Sequence, residues 1–216
     1  VELAENLVRA GLDVTVVELA DHLIAPLDAD MAADVHKYIK SKGIKLILNN
    51  GMTAVAESDG GLTVKLQNGE IKAGFMVMAV GVRPETELAC AAGIATNNRG
   101  SIIVDDRMRT NVPDVWAVGD AAVVTDFMAG APAFIPLAGP ANRQGRIAAD
   151  NICGGDSAYE GTQGSAVLKL FDMTVATSGL SERAAKAAGI DYDKTYIYSG
   201  SHASYYPGAT NMSIKA

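Results

Sequence analysis

The sequence predicts an α/β fold, on three observations. Short apolar runs of strand length alternate with longer stretches whose apolar residues recur at helical spacing. Glycine is frequent, at 22 of 216 residues, which suits a chain with many tight turns. Nearly half of the residues (49%) are apolar, enough for the core of one large domain or two small ones.

The elements follow in order. Leu3, Leu7 and Ala10 fall at helical spacing with Glu5 and Arg9 on the other side, so the chain, opening at Val1, is expected to begin inside a helix that Gly11 ends. Residues 13–18 form a β-branched run of strand length. A second helix is expected from about Asp28 to Lys42, with Val35 and Ile39 facing inward, and residues 44–48 form the next strand. Two short alternating strands around Asp59, Gly60 and Gly61, then a turn at Asn68 and Gly69, predict a small antiparallel meander. The wholly apolar run 75–81 predicts a strand buried on both faces. Arg83-Pro84 breaks that pattern ahead of a helix near 86–92 and a strand at 101–104. Residues 139–152 read as a helix carrying Arg143, Arg146 and Asp150 outward, and 154–157 as a linker. From Ala166 a new unit begins with a strand at 167–171, a second apolar stretch, a helix opened by Ser181 and Glu182, and strands near 194–199 and 211–215.

Composition narrows the function classes. A net charge of −7 argues against a nucleic-acid surface, which needs clustered Lys and Arg. No apolar run is long enough to span a bilayer and no cleavable signal pattern opens the chain, so a cytoplasmic protein is expected. Cys90 and Cys153 form no CxxC and support neither a zinc site nor a local redox pair; both are expected to be small buried hydrophobes.

The most informative stretch is 110–120, Thr-Asn-Val-Pro-Asp-Val-Trp-Ala-Val-Gly-Asp. It reads as a tight turn, a short buried strand at 115–118, and Gly119-Asp120 where the strand must end. Glycine there lets a ligand approach the backbone, and the carboxylate after it is placed to accept hydrogen bonds from the hydroxyls of a sugar or polyol. A buried strand closed by an ordinary turn is the plain alternative. Glu18, at the end of the first strand, is the kind of acidic residue that accepts hydrogen bonds from adenosine ribose hydroxyls and repels a 2′-phosphate, although a solvated glutamate explains it equally well. A helix that starts within 134–146 points free backbone N–H groups and a positive dipole end at whatever lies above it, with a plain capped helix packing on the sheet as the alternative.

These residues resemble the pyridine nucleotide-disulfide oxidoreductases. Residues 110–120 resemble the family's second flavin-binding signature, whose aspartate holds the ribityl chain of FAD. Val1-Glu-Leu-Ala-Glu-Asn-Leu, Val-Thr-Val-Val-Glu ending at Glu18, and Ala79-Val-Gly-Val-Arg-Pro match its NAD-binding domain in order. The resemblance implies that Glu2 lies by nicotinamide and flavin, that Val80 and Gly81 line the crossing between the NAD and FAD domains, and that Leu137 and Ala138 meet the N1–C2 edge of the flavin ring. Residues 168–182 and 202–209 resemble the dimerisation domain of coenzyme A-disulfide reductases and related NADH oxidases and persulfide reductases. In that branch a tyrosine reaches across the dimer toward the substrate thiol, for which Tyr205 and Tyr206 are both candidates; a buried aromatic pair bracing a Pro-Gly turn is the alternative. His202 has no evident partner and is expected to be structural.

The resemblance thus implies Rossmann-like NAD- and FAD-binding units of three-layer topology followed by part of an α+β dimerisation domain. The divisions are 1–82 for NAD, 83–155 for the C-terminal part of the FAD domain and 156–216 for the start of the dimerisation domain. It implies FAD and NAD(P)H as cofactors, NADH favoured, a homodimer, and a small thiol or disulfide substrate, with no nucleic-acid or membrane partner. It also implies that the redox cysteine and both Gly-rich phosphate loops lie upstream of these residues, in a chain roughly twice as long. The 216 residues alone are therefore expected to be inactive and residues 1–80 only marginally stable. An NADH oxidase or peroxidase on the same scaffold, and a non-catalytic nucleotide-binding or dimerisation module, are the alternatives.

Overall fold

A computed structural model describes all residues, 1–216. In chain order the elements are α1 (Glu2–Arg9), β1 (Thr15–Val17), α2 (Ala29–Ser41), β2 (Lys45–Ile47), β3 (Met52–Ser58), β4 (Gly61–Leu66), β5 (Glu70–Ala73) and α3 (Glu87–Ala91). A 3₁₀ turn at Gly119–Ala121 follows, then β6 (Val124–Asp126), β7 (Ala131–Ala133), α4 (Ala138–Ile152), β8 (Ala166–Leu170), β9 (Met173–Thr177), α5 (Glu182–Ala188), β10 (Tyr196–Gly200) and β11 (Asn211–Lys215). This is the α/β class that the sequence predicts. No helix is long and apolar enough to cross a membrane.

The chain divides into two compact units. The first comprises Val1–Val77, Leu168–Val175 and Ser181–Ala216. Its parallel pair β1–β2 aligns Val16 with Leu46, and β3–β4–β5 form the antiparallel meander. Gly61 is obligatory at the meander's first turn, because a Cβ there would collide with the Ala73 carbonyl oxygen. The second turn is clasped by Asn50, whose amide donates to the Asn68 carbonyl at 2.9 Å and accepts from its N–H at 3.0 Å. The core gathers Leu23, Leu27, Ala32, Val35, Ile39 and Ile44 with Leu170 and Phe171. The inward placement of Val35 and Ile39 agrees with the helical spacing.

Helix α1 turns a different face inward from the one its leucines suggest. Ala4 and Glu5 are buried, whereas Leu3 is exposed. A specific polar contact outweighs the apolar stripe: the Glu5 carboxylate accepts from the Phe171 amide at 2.6 Å and pairs with Arg9 at 2.8 Å.

A second polar anchor joins α2, α5 and β11. The Lys215 ammonium, largely buried, lies 2.9 Å from Asp28, 2.9 Å from Asp30 and 2.8 Å from Glu182. Asp28 also accepts from the amides of Glu182 and Arg183, so it caps α5 from outside while Ser181 caps it from within. Burial alone would raise the Asp28 carboxyl, but the bonds from Lys215, Arg183 and Glu182 hold it below its usual value. Glu182 is held well below it by Lys186, then Lys215, Tyr192 and Lys194. Burial works against the charge on Lys215, yet its three carboxylates keep it above the ordinary lysine range.

The second unit comprises Met78–Val167 and Ala176–Leu180. Met108, Val124, Ala148 and Tyr159 form its core, with Val104, Trp116, Ile135 and Ile147 packed against them. Three expected strands are not realised as ladders. Residues 75–81 are unpaired, with Phe75, Met78 and Val80 exposed, because no segment of the chain hydrogen-bonds to them. The expected strand at 101–104 reduces to bridges from Ile102 to Thr96 and Ala122, and that at 115–118 to one bridge between Trp116 and Arg109. Strand composition does not create a strand without a partner at hydrogen-bonding distance. Cys90 and Cys153 are exposed, not buried. The short helix α3 that carries Cys90 buries none of its residues, and Cys153 sits at the last turn of α4.

Lys215→Met should lower stability at pH 7 by about 2 kcal/mol, less than for a wholly buried pair because Asp30 remains half in solvent. The carboxyls are depressed in the folded state, so their contribution is full above the ordinary carboxylate pKa and lost as pH falls below about 4. Urea midpoints of the two proteins should therefore draw together progressively as pH falls below about 4.

Candidate functional site

The approach to Gly119 is built by local turns. Thr110 Oγ1 donates to the Val115 carbonyl at 3.0 Å and accepts from the Val112 amide at 3.1 Å, closing the loop through Pro113. The chain then runs extended to Gly119, where φ is +78°. A Cβ at Gly119 would meet nothing within 4 Å, so backbone conformation, not crowding, demands the glycine. Past the turn, the Ile102 amide donates to the Ala121 carbonyl and the Val123 amide to the Ile102 carbonyl, each at 2.8 Å. Asp120 is exposed at the crest of the turn, and no protein donor reaches its carboxylate.

Helix α4 packs against this turn. Its N-cap, Leu137, is extended and provides no side-chain cap. The first helical hydrogen bond runs from the Ala141 amide to the Leu137 carbonyl at 3.1 Å, and Pro140 has no N–H. The amides of Ala138 and Gly139 are thus left open at the positive end of the helix dipole. Leu137 is half-buried and Ala138 exposed. Arg143, Arg146 and Asp150 face outward as the sequence indicates.

One residue of this site escapes sequence reading. Gln144 is 1% exposed, and its Oε1 accepts from the Gly119 amide at 2.7 Å. The available signal is a glutamine four residues before Ala148, a polar residue within the inward stripe of an amphipathic helix. The structure therefore brings Gly119, Asp120, Leu137 and Ala138 into one unit.

The other candidates are placed as follows. Glu18 closes β1, and its Oε1 accepts from the Ala20 amide at 2.9 Å, which leaves the second oxygen without a protein donor. Glu2 lies exposed in the first turn of α1. Both belong to the first unit, whereas Val80 and Gly81 belong to the second. Val80 is 80% exposed, and Gly81 has φ +92°. Tyr205 and Tyr206, in the first unit, are exposed with ring centroids 4.8 Å apart, so they are not the buried pair of the alternative reading. His202 bonds Ser201 Oγ at 3.1 Å, and its ring lies 6.3 Å from that of Tyr206.

Because Gly119 is needed for its φ alone, Gly119→Ala should cost about 1–2 kcal/mol of stability without a steric clash. Thermal denaturation of the two proteins measures it; an unchanged midpoint would mean that the turn relaxes to negative φ.

The chain is similar to known proteins over nearly its whole length. The pyridine nucleotide-disulphide oxidoreductase family matches residues 1–145. An NADH oxidase of Methanocaldococcus jannaschii is 34% identical over 215 residues, 99% of this chain and 48% of that protein. The crystal structure of reduced Bacillus anthracis CoADR-RHD superposes with a TM-score of 0.94 at 44% identity, covering 99% of this chain and 38% of that one. The NAD-dependent persulfide reductase of A. fulgidus gives 0.95 at 34% identity, covering 99% and 40%. The chain spans about half the length of the curated relatives it matches. With its family match running through the Gly119–Asp120 turn and into α4, the chain belongs to the pyridine nucleotide-disulphide oxidoreductase family.

Proposed function

We propose that this chain forms the nucleotide- and flavin-binding part of an FAD-dependent NAD(P)H oxidoreductase that reduces a disulfide or persulfide such as coenzyme A disulfide. The observation that carries the proposal is the Gly119–Asp120 turn, whose backbone is held by Gln144 and whose carboxylate has no protein donor. The donor set fits FAD: an acceptor for the hydroxyls of a ribityl chain at Asp120, and two open amides at Ala138 and Gly139 for an electron-rich ring edge.

Asp120 binds by accepting hydroxyl hydrogen bonds, and the start of α4 stabilises negative charge placed against it. Leu137, half-buried beside those amides, excludes water from that edge. Glu18 uses its free oxygen to accept from adenosine ribose hydroxyls and repels a 2′-phosphate, which favours NADH. Glu2 is proposed near the nicotinamide, and Val80 and Gly81 along the nucleotide's path. Bound to these groups, FAD and NADH supply the two-electron chemistry that the side chains cannot. We assign the substrate side to Tyr205 or Tyr206 in a cytoplasmic homodimer formed through residues 156–216, with 1–82 and 83–155 serving NAD and FAD.

The relative named NADH oxidase supports a second reading, oxygen reduction on the same scaffold. Assays on the full-length protein separate them. Two thiols released per NADH consumed, with coenzyme A disulfide present, is the result expected here. NADH consumption matched by oxygen uptake and indifferent to disulfide is the result of the second reading.

Two variants probe the cofactor assignments. Asp120→Ala in the full-length apoprotein should weaken FAD binding about tenfold to a hundredfold, the range for hydrogen bonds to a charged group, as read by quenching of flavin fluorescence. Glu18→Ala should raise the kcat/KM ratio of NADPH to NADH by roughly tenfold, since it removes both an NADH acceptor and a repulsive charge.

A further inference from the structure

We propose that Gln144 is a positioning residue for the flavin, one that locks the Gly119–Asp120 turn to helix α4 and so sets the spacing between the ribityl acceptor and the ring-edge donors. The inference rests on the flavin reading above and goes beyond it.

A primary amide on the inward side of α4, beside Ile147 and Ala148 of the core, is unfavourable unless it is hydrogen-bonded. The bond that it makes is directed at one atom, the Gly119 amide, at 2.7 Å. That atom needs a partner. On the far side of the turn Ile102 bonds the Ala121 carbonyl and the Val123 amide, but residues 115–118 leading into it contribute a single bridge, so the entry to the turn is its less firmly paired side. Glycine at φ +78° is also the most conformationally free point of the segment.

Three consequences follow for a ligand. With its N–H occupied, Gly119 has none to offer, and Asp120 is left as the acceptor of the turn. Gln144 and the open amides of Ala138 and Gly139 lie on the same helix, six and five residues apart, so one rigid element carries both halves of the site. Turn and helix start are then registered before the flavin binds, which removes an ordering cost from binding.

The test uses the full-length apoprotein reconstituted with FAD. Gln144→Met keeps the length and volume but removes the acceptor, while Gln144→Glu keeps an acceptor oxygen at the same reach. The Met variant is expected to bind FAD about tenfold more weakly and to blur the fine structure of the visible flavin band. The Glu variant should restore affinity to within about threefold of wild type. If the Met variant has a lower melting temperature but wild-type FAD affinity and spectrum, Gln144 is structural only and the proposal fails. Hydrogen exchange in the wild-type apoprotein tests the same point without a variant: the Gly119 amide should be protected before FAD is added, and exchange as fast as in an open loop overturns the proposal. Asp120→Ala separates the two levels of inference. Unchanged FAD affinity in that variant sinks the flavin reading itself, whereas weakened binding there beside normal binding in Gln144→Met sinks only the role given to Gln144.

Discussion

The hydrogen bond from the Gly119 amide to the buried Gln144 side chain is the constraint on which the candidate site depends. The chain leading into the turn has almost no ladder to hold it, and the turn rests on a glycine with positive φ. Apolar packing around Met108, Val124 and Ala148 brings the segments together but does not choose a backbone conformation. A directional bond from a rigid helix does, and in a buried setting a mismatch carries the full cost of an unpaired polar group.

The first unit uses the same device at longer range. Glu5 binds the Phe171 amide, and Lys215 gathers Asp28, Asp30 and Glu182, so residues far apart in the chain are tied by buried charge. Each tie is satisfied several times over, which lets a charge stay inside without a prohibitive desolvation cost. The Asp28 carboxylate serves three purposes at once: it pairs with Lys215, caps α5, and sits at the start of α2.

Much of the site was legible in the sequence because its elements are local. Glycine before aspartate at the end of an extended run, an acidic residue closing a β-branched run, and a helix start with free backbone amides all depend on neighbours a few residues away. Gln144 was not legible, since its partner is 25 positions off and its meaning lies in that pairing. The exposure of Cys90 and Cys153 was misread for a related reason: residue type predicts burial only on average, and a five-residue helix or a helix end buries little. The Tyr205 and Tyr206 rings meet at a tilt of 39°, as neighbouring aromatics can, but their exposure is a property of how the surrounding chain packs.

By itself, then, the sequence determined the α/β class, the helices α2, α4 and α5, the antiparallel meander and the resemblance that the family match bears out. These rest on periodicity, turn chemistry and short motifs, which act over a few residues. Tertiary structure alone decided which face of α1 is buried, which apolar runs find a strand partner, and which side chain fixes the Gly119 turn. Those outcomes depend on long-range hydrogen bonds, whose free energy exists only when two distant segments meet with the right geometry.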